Sequence, residues 1–81
     1  MQKVDKDKNN KSYKILNING NKLYVLGIKS ILKFSEEYIA LKLKNAEILC
    51  IFGENFIICE CDKNAIMILG KILKLEVQQG A

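Results

Sequence analysis

The residues of this chain best able to do chemistry are three cysteines, Cys50, Cys59 and Cys61, gathered in the stretch CIFGENFIICEC. A C-x-C pair with a third thiol nearby suggests a metal site, a redox pair or plain core. Three thiolates in a chain without histidine fall one ligand short of a closed structural zinc site, and a C-x-C on a strand lacks the usual loop-borne spacing. An odd number of cysteines fits poorly with a disulfide framework. The stretch itself contains no lysine, arginine or histidine to lower a thiol pKa for nucleophilic work. A reduced cysteine commonly behaves as a small buried hydrophobe, and that is the role expected of these three.

The other group that invites a chemical reading is Glu36-Glu37. Adjacent carboxylates in a polar turn solvate it, and no base or nucleophile accompanies them. Without histidine the commonest acid–base side chain is missing. Neither a phosphate-binding glycine loop nor a nucleophile elbow occurs. We therefore expect a protein that is not an enzyme, with no cofactor, no metal and no small-molecule substrate.

Those residues need elements to position them, and the chain of 81 residues is long enough for one domain. Residues 1–11 are lysine, aspartate and asparagine with little to bury, and read as a disordered basic tail. The domain is expected over 12–78. Thirteen lysines and no arginine give a formal net charge of +4, of which residues 1–14 carry +3. The folded part is thus almost neutral and lacks the side chain best suited to phosphates and base edges, which argues against nucleic acid. Tyr13, Tyr24 and Phe34 are the aromatics that a small barrel would use to stack bases, and a nucleic-acid-binding module is the alternative reading. No stretch approaches the ~20 apolar residues of a membrane span. The polar beginning lacks a secretory h-region, so the expected compartment is the cytoplasm.

From Tyr13 on, short apolar runs alternate with turn signals roughly every 8–12 residues. Asn19-Gly20-Asn21 is a hairpin signal, Gly27 marks a bulge or bend, and polar breaks fall at 35–37, 45–47 and 62–64. YIALKLK alternates cleanly, with Ile39, Leu41 and Leu43 on one side and Ala40, Lys42 and Lys44 on the other. Twelve isoleucines favour strand over helix. Helices starting at Ser35 or running through NAIMILGKILKLEV compete, but the second would hold Gly70 in its middle. The expected fold is all-β, a single small domain of about six to eight short, mainly antiparallel strands arranged as a meander, small barrel or sandwich.

Gly53-Glu54-Asn55 reads as the tip of a further hairpin. A two-residue loop at Gly53-Glu54 pairs Phe52 with Asn55 and Cys50 with Ile57. Cys50 and Cys59 then lie on one face as diagonal neighbours about 7–8 Å apart, beyond disulfide reach. Both faces are mostly apolar and need covering. Leu49, Ile51, Phe52, Phe56, Ile57 and Ile58 are therefore the candidate interaction surface, and a homo-oligomer is expected.

The region from about Lys22 to Val77 resembles the YabP/YqfC family of bacterial sporulation proteins, closer to the YqfC side. The resemblance rests on FSEEYIALK, IFGENFII and ILGKILKLE. It departs at Ala46-Glu47, where relatives often place a glycine, and at Gly27-Ile28, in place of an asparagine–histidine pair. It implies a structural or assembly factor of endospore formation, working in the mother-cell cytoplasm with a membrane-associated sporulation protein. Through that partner it would sit at the periphery of the forespore membrane. The resemblance names no catalytic residue.

Overall fold

A computed structural model describes residues 13–79. The tail expected over 1–11 lies outside the described residues. The described chain is all-β: β1 (Lys14–Ile18), β2 (Lys22–Leu26), β3 (Ile28–Phe34), β4 (Tyr38–Leu43), β5 (Ile48–Cys61) and β6 (Ala65–Gln78). They form one antiparallel sheet in the order β1-β2-β6-β5-β4-β3.

The turns follow their local chemistry. Asn19 and Gly20 both take positive φ, 55° and 71°, and Asn21 N–H donates to Ile18 O at 3.2 Å. Two positive φ angles match the right-handed twist of the flanking strands. Ser35, a candidate helix cap in the sequence, instead closes the β3–β4 turn. Its hydroxyl oxygen accepts from the N–H groups of Glu37 and Tyr38 at 3.3 and 3.0 Å. Asp62 does the same for the β5–β6 turn, accepting from Asn64 and Ala65 N–H at 2.9 and 3.0 Å.

Only Gly27 separates β2 from β3, yet β6, β5 and β4 lie between them in the sheet. In a flat sheet the two would stand four strand spacings apart, about 19 Å, whereas one residue reaches ~3.5 Å. The sheet must therefore curl. Gly27 turns the corner with φ 86°. Its N–H and that of Ile28 donate to Asn64 O, and its carbonyl accepts from Lys44 N–H at 2.9 Å.

The curl is built around the long β5–β6 pair. β4 pairs with β5 only over residues 48–52, and β2 pairs with β6 only over 65–69. One leaf therefore contains β1, β2 and the paired residues 65–69 of β6 and 57–61 of β5. The other contains β3, β4, residues 48–52 of β5 and 74–78 of β6. Between the leaves both long strands lose register, near Gly53–Ile57 and opposite it near Gly70–Lys74. The N–H groups freed there find turn carbonyls. Gly53 and Phe56 donate to Glu37 and Glu36, while Gly70 and Ile72 donate to Asn21 and Gly20. Each short hairpin thus pins one bend with its turn.

The expected hairpin at Gly53-Glu54-Asn55 does not form. β5 runs through it as one strand, and β5 turns back only at 62–64. The register Phe52–Asn55, Cys50–Ile57 is replaced by Phe52↔Lys74 and Ile57↔Leu69. Asn55 does take the positive φ of a turn residue, 57°, but uses it in an irregularity of the strand.

The inner faces of the two leaves meet in a single core. Leu23, Val25, Ile66 and Ile68 come from the first leaf, and Ile39, Leu41, Leu43, Leu49 and Ile51 from the second. Phe56 fills the bend, 2% exposed. A Cβ on Gly53 would fall on the Lys71 carbonyl oxygen and 2.5 Å from Phe56 Cζ, and one on Gly70 would lie 2.8 Å from Phe56 Cδ1. The ring occupies space that only two glycines leave open.

Candidate interaction surface

The six residues expected to form one surface are divided by the fold. Leu49, Ile51 and Phe56 are buried in the chain's own core and are not available to a partner. Phe52 and Ile58 are half-buried, and Ile58 packs against the core. Ile57 alone stands out, 62% exposed. The reason is the lost hairpin: once β5 continues through Gly53, neighbouring elements cover its apolar residues within the same chain.

The cysteines separate as well. Cys50 is buried, whereas Cys59 and Cys61 are exposed near the end of β5, so the expectation of three core thiols holds for Cys50 and fails for the other two. All three are free. No group of three or more acidic, cysteine or histidine residues placed to hold a metal occurs among the described residues. The side chains of Glu36 and Glu37 are exposed. What this pair contributes to the fold is its main-chain carbonyls at the bend of β5.

Tyr13, Tyr24 and Phe34 do not share a platform. Tyr13 precedes β1, Tyr24 lies in the middle of β2 and Phe34 ends β3. The aromatic pair that does form is Tyr38 with Phe52, on neighbouring strands, with ring centroids 4.9 Å apart. Lys33 Nζ sits 5.8 Å from the Tyr38 ring and Lys74 Nζ 5.5 Å from the Phe52 ring. Sequence reading missed this group because its members come from four strands. Tyr38 also donates to Cys50 Sγ at 3.3 Å.

The outer face of the first leaf gathers apolar side chains from four strands. One cross-strand row runs Ile18, Lys22, Leu69, Ile57, and the next runs Leu16, Tyr24, Met67, Glu60. Leu16, Ile18 and Ile57 are exposed, and Tyr24, Met67 and Leu69 half-buried. Four of these, Leu16, Ile18, Met67 and Leu69, were not singled out by sequence reasoning. Their alternation with core residues was visible, but which strands lie side by side was not. No helix among the described residues is long and apolar enough to cross a membrane. The chain matches no family model, no curated protein and no solved structure.

Proposed function

We propose that this protein is a non-enzymatic assembly factor that works through protein–protein contacts. The observation that carries the reading is the outer face of the first leaf. Six apolar side chains there (Leu16, Ile18, Tyr24, Ile57, Met67 and Leu69) form two adjacent rows interrupted by one lysine and one glutamate. A contiguous apolar face on a small soluble-sized domain is the usual mark of a docking surface. The resemblance to YabP/YqfC proteins supplies the setting: endospore formation, in the mother-cell cytoplasm, with a membrane-associated sporulation protein as partner.

The test is a deletion strain together with a pull-down from sporulating cells. A block in sporulation without a vegetative defect, and loss of the captured partner on Ile57→Lys, are expected. Normal sporulation in the deletion strain would overturn the sporulation setting. Capture of the same partner by the Ile57→Lys and Ile18→Lys variants would overturn the face.

Tyr38 and Phe52 with Lys33 and Lys74 favour a second reading, a small-barrel binder of single-stranded nucleic acid, because aromatics beside cations stack bases. Salt-sensitive binding of an oligonucleotide that Phe52→Ala abolishes would select it over the first.

A further inference from the structure

We propose that the chain pairs with a second copy of itself through the free edge of β6, antiparallel over residues 73–77 and centred on Leu75. The proposal rests on the protein-contact reading and names one partner and one register for it.

β6 has β5 on one side throughout, but β2 covers its other side only as far as Leu69. Turn carbonyls take up the N–H groups of Gly70 and Ile72. Beyond Ile72, no strand among the described residues lies on that side. Its backbone there is a ready template for another strand.

The sheet has other edges, and each is blunted or mismatched. β3 carries two register shifts in seven residues, and the free part of β5 carries one between Ile58 and Glu60. Bulges of this kind twist an edge away from pairing. β1 is regular, but pairing with itself about Leu16 would oppose Ile15 to Asn17 and Lys14 to Ile18. β6 has a register shift too, at Leu73, but it lies at the first residue of the stretch, and from Lys74 to Gln78 the strand runs without interruption against residues 52 to 48.

The sequence of that edge is self-complementary. A two-fold axis normal to the sheet keeps every residue on its own face, so the register must centre on a residue. Centred on Leu75, Lys74 opposes Glu76 of the second copy, Glu76 opposes its Lys74, and Leu73 opposes its Val77. Centred one residue earlier, Lys74 would face Lys74; one later, Glu76 would face Glu76. Like charges directly opposite destabilise a pair, and opposite charges stabilise it. The charge pattern therefore favours the register centred on Leu75 over either neighbouring one, and it sets two opposite-charge pairs across the axis. Leu73, 58% exposed, and Val77, 44% exposed, are the apolar residues that the pairing would cover.

The experiment is light scattering and sedimentation of the full chain, in reducing buffer at low salt, over a concentration series. The wild type is expected to dimerise. Lys74→Glu and Glu76→Lys each set like charges opposite one another twice per dimer, and should raise the dissociation constant about tenfold or more. The double variant Lys74→Glu/Glu76→Lys restores both opposite-charge pairs and should return to within about threefold of wild type. A wild type that stays monomeric, single variants that dimerise unchanged, or a double variant that fails to recover each overturns the proposal. If the charge swap behaves as stated while the deletion strain sporulates normally, the pairing stands and the sporulation setting falls. A monomeric wild type with blocked sporulation gives the reverse.

Discussion

Tyr38 donates its hydroxyl proton to the sulfur of Cys50 at 3.3 Å, joining a half-buried phenol to a buried thiol on the strand beside it. That hydrogen bond is the main reason the phenol is held above its ordinary pKa of 10.0. Desolvation and the negative charge of Cys50 in its thiolate form and of Glu76 add to it. The folded protein thus favours the neutral phenol. Its contribution to stability is complete below about pH 10 and is lost as pH rises through the higher folded value. A phenolate absorbance titration should show a component above the ordinary range that disappears in Tyr38→Phe.

Phe56 lies between two glycines, and the fit makes them irreplaceable. Gly53→Ala drives a Cβ into the Lys71 carbonyl, and Gly70→Ala meets Phe56 at a φ of 141°. Each should cost about 2 kcal/mol or more in urea unfolding. Gly20→Ala, with φ 71° but nothing within 4 Å of the added Cβ, should cost only about 1 kcal/mol.

Ala46 holds φ at 74° in the β4–β5 turn, a conformation in which its side chain is strained. Ala46→Gly relieves the strain and should raise stability by about 0.5–1 kcal/mol, net of the extra freedom glycine gains when unfolded. An unchanged or lowered denaturation midpoint would contradict this account of the turn.

Neighbouring residues of β5 should behave in opposite ways. Phe56→Ala empties the bend and should cost about 3–5 kcal/mol, enough to threaten a domain whose total is on the order of 5–15 kcal/mol. Phe56→Leu keeps part of the filling and should remain folded. Ile57→Ser should change stability by no more than about 0.5 kcal/mol. Comparable losses at both positions would contradict the observed division of the strand.

Thiol labelling reads the cysteine positions directly. In the folded protein Cys59 and Cys61 should react promptly with a thiol reagent, and Cys50 only after denaturant is added. Fast labelling of all three would mean that Cys50 is not buried.

Local signals in the sequence were accurate about local structure. Asn19-Gly20 makes the tight turn it announces, and Ile39, Leu41 and Leu43 are fully buried as their alternation requires. Gly53 and Asn55 also signal truly: a bend and a positive φ occur there. A turn and a bulge ask the same of the backbone, so these residues could not say whether the strand would reverse. Reading it as a reversal placed Leu49, Ile51 and Phe56 on a surface and buried Cys59 and Cys61.

The sequence by itself determined that the chain is all-β, where most strands begin and end, and which residues of β4 face inward, because backbone preference and period-2 alternation are properties of neighbours along the chain. The tertiary structure decided that β5 and β6 each run through a bend and serve both leaves of one curled sheet. It also decided which apolar residues remain outside, and which edge keeps Lys74, Leu75 and Glu76 free. Those outcomes depend on pairings between residues far apart in sequence. One example is Phe52 with Lys74; another is the Gly70 N–H with the Asn21 carbonyl. No local propensity encodes which partner a strand edge will find.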